Sequence, residues 1–167
     1  SIAATIGMAA LENHLHLKQA EVHGMSQRGG AVQSHLRISE NEIASDLIPL
    51  GKADLIISVE PMESLRYLPW LKEDGWLVTN TTPFVNIPDY PDMKELLTEI
   101  EKLPHHIAIN ADEIARQVKS PRSSNIVMLG ASSPFLDLPY ESLENGIKKI
   151  FEKKGENYKV DLINNLP

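Results

Sequence analysis

The sequence predicts an α/β protein, a three-layer α/β/α sandwich around a mixed, mostly parallel sheet. Three observations carry that expectation. Strand-like and helix-like stretches alternate along the chain. Two of them, ADLIISVE at 53–60 and WLVTN at 76–80, are short apolar runs, the pattern of strands covered on both faces. An early pair of strands, 17–23 and 31–38, is joined by about seven residues, too few for a parallel crossover, so that pairing is antiparallel.

The elements follow in order. Ser1 to Asn13 reads as a helix with Ile2, Ile6, Ala9 and Ala10 on one stripe, and Ser1 stands as an N-cap or a cut edge. Leu17 to His23 is strand-like. In Ala31 to Ile38, Val32, Ser34, Leu36 and Ile38 share one face while Gln33, His35 and Arg37 share the other. Ala53 to Glu60 is a buried strand, and Pro61 opens the helix PMESLRYL. A turn at Glu73–Gly75 precedes a strand over Trp76 to Asn80. Residues 81–92 hold three prolines and no periodicity, which reads as loop.

Asp92 caps a helix to about Lys102, with Leu96, Leu97, Ile100 and Leu103 inward. His105 to Asn110 reads as a strand, and Asp112 to Lys119 as a short helix. Ser123 opens the apolar helix SSNIVMLGAS, and a lysine-rich helix runs from Tyr140 to about Lys154 and on to Leu166. No repeat or low-complexity tract interrupts the chain, so residues 1–167 read as one domain.

Composition limits the function classes. The chain of 167 residues has no cysteine, which excludes disulfides, thiolate zinc sites and cysteine-ligated iron–sulfur clusters within it. A net charge of −7 argues against a broad nucleic-acid surface. No run approaches the roughly 18 apolar residues of a membrane span, and the apolar start lacks the basic flank of a signal peptide. A cytoplasmic location is the expectation.

Residues 21–30, EVHGMSQRGG, stand out. Between Asn13 and Ser39 the only acid is Glu21, while Lys18, Arg28, Arg37 and four of the six histidines (His14, His16, His23, His35) lie in the same window. Gly24, Gly29 and Gly30 permit positive φ and close backbone approach, and Arg28 adds a planar fork for carboxylate or phosphate. Recognition of an anionic group is one reading. A hairpin loop whose basic residues pair with acids elsewhere is the other, at even weight.

Other candidates carry less. Glu60 and Asn80 end buried strands, where ligands gather in α/β sheets, but each residue type also caps helices or forms turns. His14/His16 and His105/His106 lack carboxylates at metal-ligand spacing. The lysines at 148, 149, 153 and 154 read as a solvated helix face. GxGxxG, GxxxxGK[ST] and GxSxG are absent.

EVHGMSQRGG, with SHLRI at 34–38, IPLGKADLI at 48–56 and EPMESLR at 60–66, resembles the gamma-type domain of the 2-oxoacid:ferredoxin oxidoreductases. Within that family the VHGM-x-QRGG form is similar to the small (beta) subunit of indolepyruvate ferredoxin oxidoreductase, over residues 1 to about 155. Asn80, Asn125 and Leu129–Gly130 match in support. Family members open with a strand and a GxGGQG-type loop, whereas this chain starts inside the following helix. The expectation is a domain lacking that strand and loop, with the apolar stripe of its first helix uncovered.

The resemblance implies oxidative decarboxylation of arylpyruvates to aryl-acetyl-CoA, with electrons passing to ferredoxin. It implies thiamine diphosphate and [4Fe–4S] clusters in a large partner subunit, CoA as co-substrate, and no activity without that partner. The residues it puts forward for contact with substrate, CoA or partner are His23, Gly24, Gln27, Arg28, Gly29, Gly30, Glu60 and Asn80. Two other readings remain open: a stand-alone nucleotide- or acyl-CoA-binding sensor module, and a hydrolase or lyase with His23 as base.

Overall fold

A computed structural model of the chain describes residues 2–23 and 32–153, and of His23 and Lys153 the backbone alone. In chain order the elements are α1 (Ile2–Glu12), β1 (His16–His23), β2 (Val32–Ser39), β3 (Ala53–Ser58), α2 (Pro61–Arg66), β4 (Leu71–Asn80), α3 (Met93–Glu101), β5 (His106–Ile109), α4 (Ala111–Gln117), α5 (Ser124–Ser132) and α6 (Tyr140–Lys153). Short 3-10 turns occupy Leu68–Trp70 and Ser133–Phe135. The chain divides into two compact units, one from Ser1–Ile48 and Leu136–Pro167, the other from Pro49–Phe135.

In the first unit α1 packs against α6 and β1. The stripe expected to be uncovered is not: Ile6, Ala9 and Ala10 are buried, with Leu143 and Ile147 of α6 also enclosed. Gly146 permits this approach, because a Cβ there would stand 2.9 Å from the Thr5 carbonyl oxygen. Burial of each large aliphatic side chain contributes about 1.5–3 kcal/mol. Lys148 and Lys149 face solvent, as their spacing predicts. β1 and β2 form an antiparallel hairpin in unbroken register from His16↔Ser39 to His23↔Val32.

In the second unit β3, β4 and β5 form a parallel sheet in that order. The central strand carries the core, with Leu77, Val78 and Thr79 fully buried. β3 departs from the expected double cover: it is an outer strand of this sheet, and Leu55, Ile56 and Ile57 are half-buried. β4 starts at Leu71 rather than Trp76. Ala53 pairs with Leu71 and Leu55 with Trp76, so the register breaks and residues 72–75 form an irregularity within the strand. The turn chemistry at Glu73–Gly75 is therefore real but interrupts a strand instead of preceding one. Gly75 sits at its tightest point, where a Cβ would stand 2.6 Å from Leu71 Cδ1.

The helices start where the sequence predicts them, to within a residue. Asp92 caps α3 by accepting from the Lys94 and Glu95 N–H groups. Pro61 begins α2. Asn110 caps α4 through Glu113 N, which moves that helix one residue earlier than expected. The α/β class stands, with antiparallel pairing in β1–β2 and parallel pairing in β3–β4–β5. No helix among the described residues is long and apolar enough to cross a membrane.

Candidate functional site

The carboxyl ends of the three parallel strands carry the polar cluster of the second unit. β3 runs into Glu60, β4 ends at Asn80, and β5 runs into Asn110. Each strand end feeds directly into a helix start or a turn, so side chains there meet the first N–H groups of helices and need acceptors.

Asn80 is 4% exposed, and its amide is bonded on both sides. Its Nδ2 donates to Val59 O at 3.3 Å and to Asp112 Oδ2 at 2.8 Å. Its Oδ1 accepts from Ala111 N at 3.0 Å and Thr82 N at 3.3 Å. One side chain thus ties the ends of β3 and β4 to the first turn of α4. Asp112 was not singled out by sequence reasoning. The Asn80 amide, then the Thr82 and Ser124 hydroxyls with Arg116, hold its carboxyl below the usual range against the opposing effect of burial. A first-turn acid on a helix was the only signal available.

Glu60 is 9% exposed and caps α2, with Oε2 accepting from Glu63 N at 2.8 Å. Its Oε1 accepts from Phe84 N at 3.3 Å and from the Tyr90 hydroxyl. Burial, then the Glu60 bond, pushes the Tyr90 phenol well above the ordinary tyrosine range. The Glu60 carboxylate therefore pins two points of the 81–92 loop to the start of α2. Glu60 and Asn80 both have structural work that occupies their polar atoms.

In the first unit, the basic window around the glycine-rich segment is partly committed to structure. Arg37 donates to Ser45 O at 2.9 Å and Leu47 O at 3.3 Å. His35, buried, accepts the Ile48 N–H at Nδ1 over 3.0 Å. Lys18 pairs with Asp46 at 3.3 Å. These three hold the 45–48 segment against the hairpin. His14 takes a φ of 58° and ends α1, with His14 N bonded to Leu11 O and Leu15 N to Ala10 O. That is the Schellman pattern of a helix terminus.

His105 stacks on Trp76 at 5.0 Å, and Phe135 stacks on the same indole at 4.3 Å. His106 Nδ1 lies 2.7 Å from Leu103 O. Among the described residues no three side chains of metal-ligand type converge. Of the motif residues, Gly24, Gln27, Arg28, Gly29 and Gly30 lie outside the described residues, and His23 is placed only as the last residue of β1, paired with Val32. The hairpin nonetheless delivers both ends of that segment from adjacent, in-register strands.

Residues 1–163 match the pyruvate ferredoxin/flavodoxin oxidoreductase family. The chain belongs to this family. An indolepyruvate oxidoreductase subunit IorB from Archaeoglobus fulgidus is 34% identical over 89% of this chain and 78% of its own length. Among solved structures, a 2-oxoglutarate:ferredoxin oxidoreductase from Magnetococcus marinus, with 2-oxoglutarate, coenzyme A and succinyl-CoA bound, is similar at a TM-score of 0.66 and 20% identity. That match covers 93% of this chain and 25% of the other. The gamma subunit of a keto/oxoacid ferredoxin oxidoreductase from Geobacter sulfurreducens is similar at a TM-score of 0.61 and 19% identity, covering 98% of this chain and 82% of that one. These structures share the fold. The resemblance carried by EVHGMSQRGG to the gamma-type domain of 2-oxoacid:ferredoxin oxidoreductases is borne out.

Proposed function

We propose that this chain is the small subunit of a cytoplasmic indolepyruvate-type 2-oxoacid:ferredoxin oxidoreductase, and that its EVHGMSQRGG stretch at 21–30 meets an anionic group of CoA, substrate or partner. The observation that carries the reading is VHGMSQRGG in a member of this family whose relatives are named as indolepyruvate oxidoreductase subunits. In the reaction the 2-oxoacid loses CO2, its acyl carbon is joined to the CoA sulfur as a thioester, and the electron pair released passes to ferredoxin. Thiamine diphosphate and the [4Fe–4S] clusters belong to the large subunit, in keeping with a chain that has no cysteine. This chain completes the assembly and is inactive without it.

In this reading Arg28 supplies the fork and Gly24, Gly29 and Gly30 permit close backbone approach, with His23 and Gln27 as further hydrogen-bonding side chains of the motif. Glu60 and Asn80 contribute by fixing the turns at the ends of β3 and β4 rather than by touching a ligand.

The test is co-expression with the large subunit, followed by CoA-dependent reduction of a low-potential acceptor with indolepyruvate and other 2-oxoacids. Arg28→Lys keeps the charge but loses the bidentate fork. It is expected to weaken CoA or partner affinity about 10- to 100-fold, the effect of roughly 1.5–3 kcal/mol, while the melting temperature stays unchanged. Full activity in Arg28→Lys, or a loss that only tracks lower stability, would make the loop structural.

A further inference from the structure

Asn145 and Gly146 form the one Asn-Gly pair of the sequence, and they lie side by side inside α6. Both residue types are poor helix formers, so their place there needs a reason. Gly146 has one in packing: a Cβ there would stand 2.9 Å from the Thr5 carbonyl oxygen, so α1 leaves no room for a side chain. Asn145 is half-buried on the same seam, and its Nδ2 donates to Glu12 Oε1 at 3.1 Å. Leu143 and Ile147 close the seam around them, 1% and 4% exposed. Packing of α1 on α6 thus fixes a glycine directly after an asparagine.

That dipeptide carries chemistry of its own. Glycine leaves its peptide nitrogen unshielded, so Gly146 N attacks Asn145 Cγ wherever the backbone lets the two atoms meet. The new C–N bond closes a five-membered succinimide, and the side-chain nitrogen leaves as ammonia. Water then opens the ring at either carbonyl, giving aspartate or an isoaspartyl link with no change of oxidation state. Ring closure requires a ψ at residue 145 far from the helical value of about −42°. In α6 it also requires the Gly146 N–H to leave the helical ladder and Asn145 Nδ2 to leave Glu12. The folded helix blocks the reaction that its own packing puts within reach.

We propose that Asn145–Gly146 is a latent deamidation site, sheltered by the α1–α6 contact, at which a local opening of α6 becomes permanent. The reaction replaces an amide that donates to Glu12 with a carboxylate that faces it, a like-charge contact across the seam. Lys149 stands 3.9 Å from Glu12 and is exposed, a pairing too loose to offset that contact. An isoaspartyl link also adds a backbone carbon to α6, which breaks the spacing of its hydrogen bonds.

The experiment incubates the full chain at mildly alkaline pH, folded and in guanidinium chloride. Peptide mapping by mass spectrometry follows the amide-to-acid mass gain and the isoaspartyl fraction at residue 145. Mapping also separates this site from Asp74–Gly75, the Asp-Gly pair, which forms the same ring. Conversion at 145 is expected to be at least about tenfold slower in the folded chain than in denaturant, because only the open fraction reacts. Leu143→Ala, which thins the seam without touching the pair, is expected to speed conversion of the folded chain. If that variant does not fold, wild type in sub-denaturing guanidinium replaces it, and conversion should rise in step with amide exchange in α6. Asn145→Asp is expected to melt below wild type. Equal rates in the folded and unfolded chain, or no conversion at 145 in denaturant, overturns the proposal. A folded-state rate that follows neither the seam variant nor α6 exchange overturns the shelter assigned to α1. An unchanged melting temperature in Asn145→Asp overturns the lasting effect on α6.

Discussion

Asn80 shows how much of this domain depends on single side chains at strand ends. Its amide satisfies Val59 O, Asp112, Ala111 N and Thr82 N, the last two through one oxygen. Asn80→Ala would remove all four of these bonds at a buried position and is expected to cost about 2–3 kcal/mol, read from urea midpoints. Asp112 adds a pH signature. Its carboxyl is depressed in the folded state, foremost by the Asn80 amide, so the stability it contributes is present above the ordinary carboxylate range. That contribution is lost as pH falls through the depressed folded value. Asp112→Asn is therefore expected to be most destabilising near neutrality and to converge on wild type in acid, tested by denaturation between about pH 3 and 7. Sequence marked Asn80 and Glu60 as strand-end residues, but not what they bond. The 32-residue separation of Asn80 and Asp112 leaves no local trace.

At the scale of elements, what was legible was what local chemistry decides. The Asp92 cap and Pro61 at a helix start are each set by neighbouring residues, and the structure has them, whereas β2 forms as a strand whose burial does not follow its apolar face, Val32 being exposed and His35 buried. The start of β4 is hidden in the sequence because Asp74 and Gly75 are turn formers that an irregular pairing with β3 retains in the strand. His14 is one of the histidines of the basic window, and it occupies the left-handed position that ends α1. A non-glycine residue is strained there by roughly 1–2 kcal/mol, part of which glycine returns through its larger unfolded-state entropy. His14→Gly is expected to raise stability by about 0.5–1 kcal/mol in thermal or urea unfolding, and a drop would show that the imidazole has a role of its own.

For the whole molecule, the absence of cysteine predicts that the purified chain alone carries no thiolate-held iron–sulfur cluster, and the absence of a GDG…N thiamine signature, with the proposed function, that it oxidises no 2-oxoacid. Iron and sulfide assays on the isolated chain, beside the acceptor-reduction assay, check it. Stoichiometric iron and sulfide would contradict it. The sequence by itself determined the α/β class, the family through one glycine- and arginine-bearing motif, and the exclusion of thiolate chemistry. Each rests on residue identity or short-range periodicity. Only the tertiary structure decided that the α1 stripe is covered by α6, that β3 is an outer strand, and that Glu60 ties the 81–92 loop to the start of α2. Those outcomes depend on which distant segments meet, because burial and hydrogen-bond satisfaction belong to pairs of groups and a linear pattern specifies only one member of each pair.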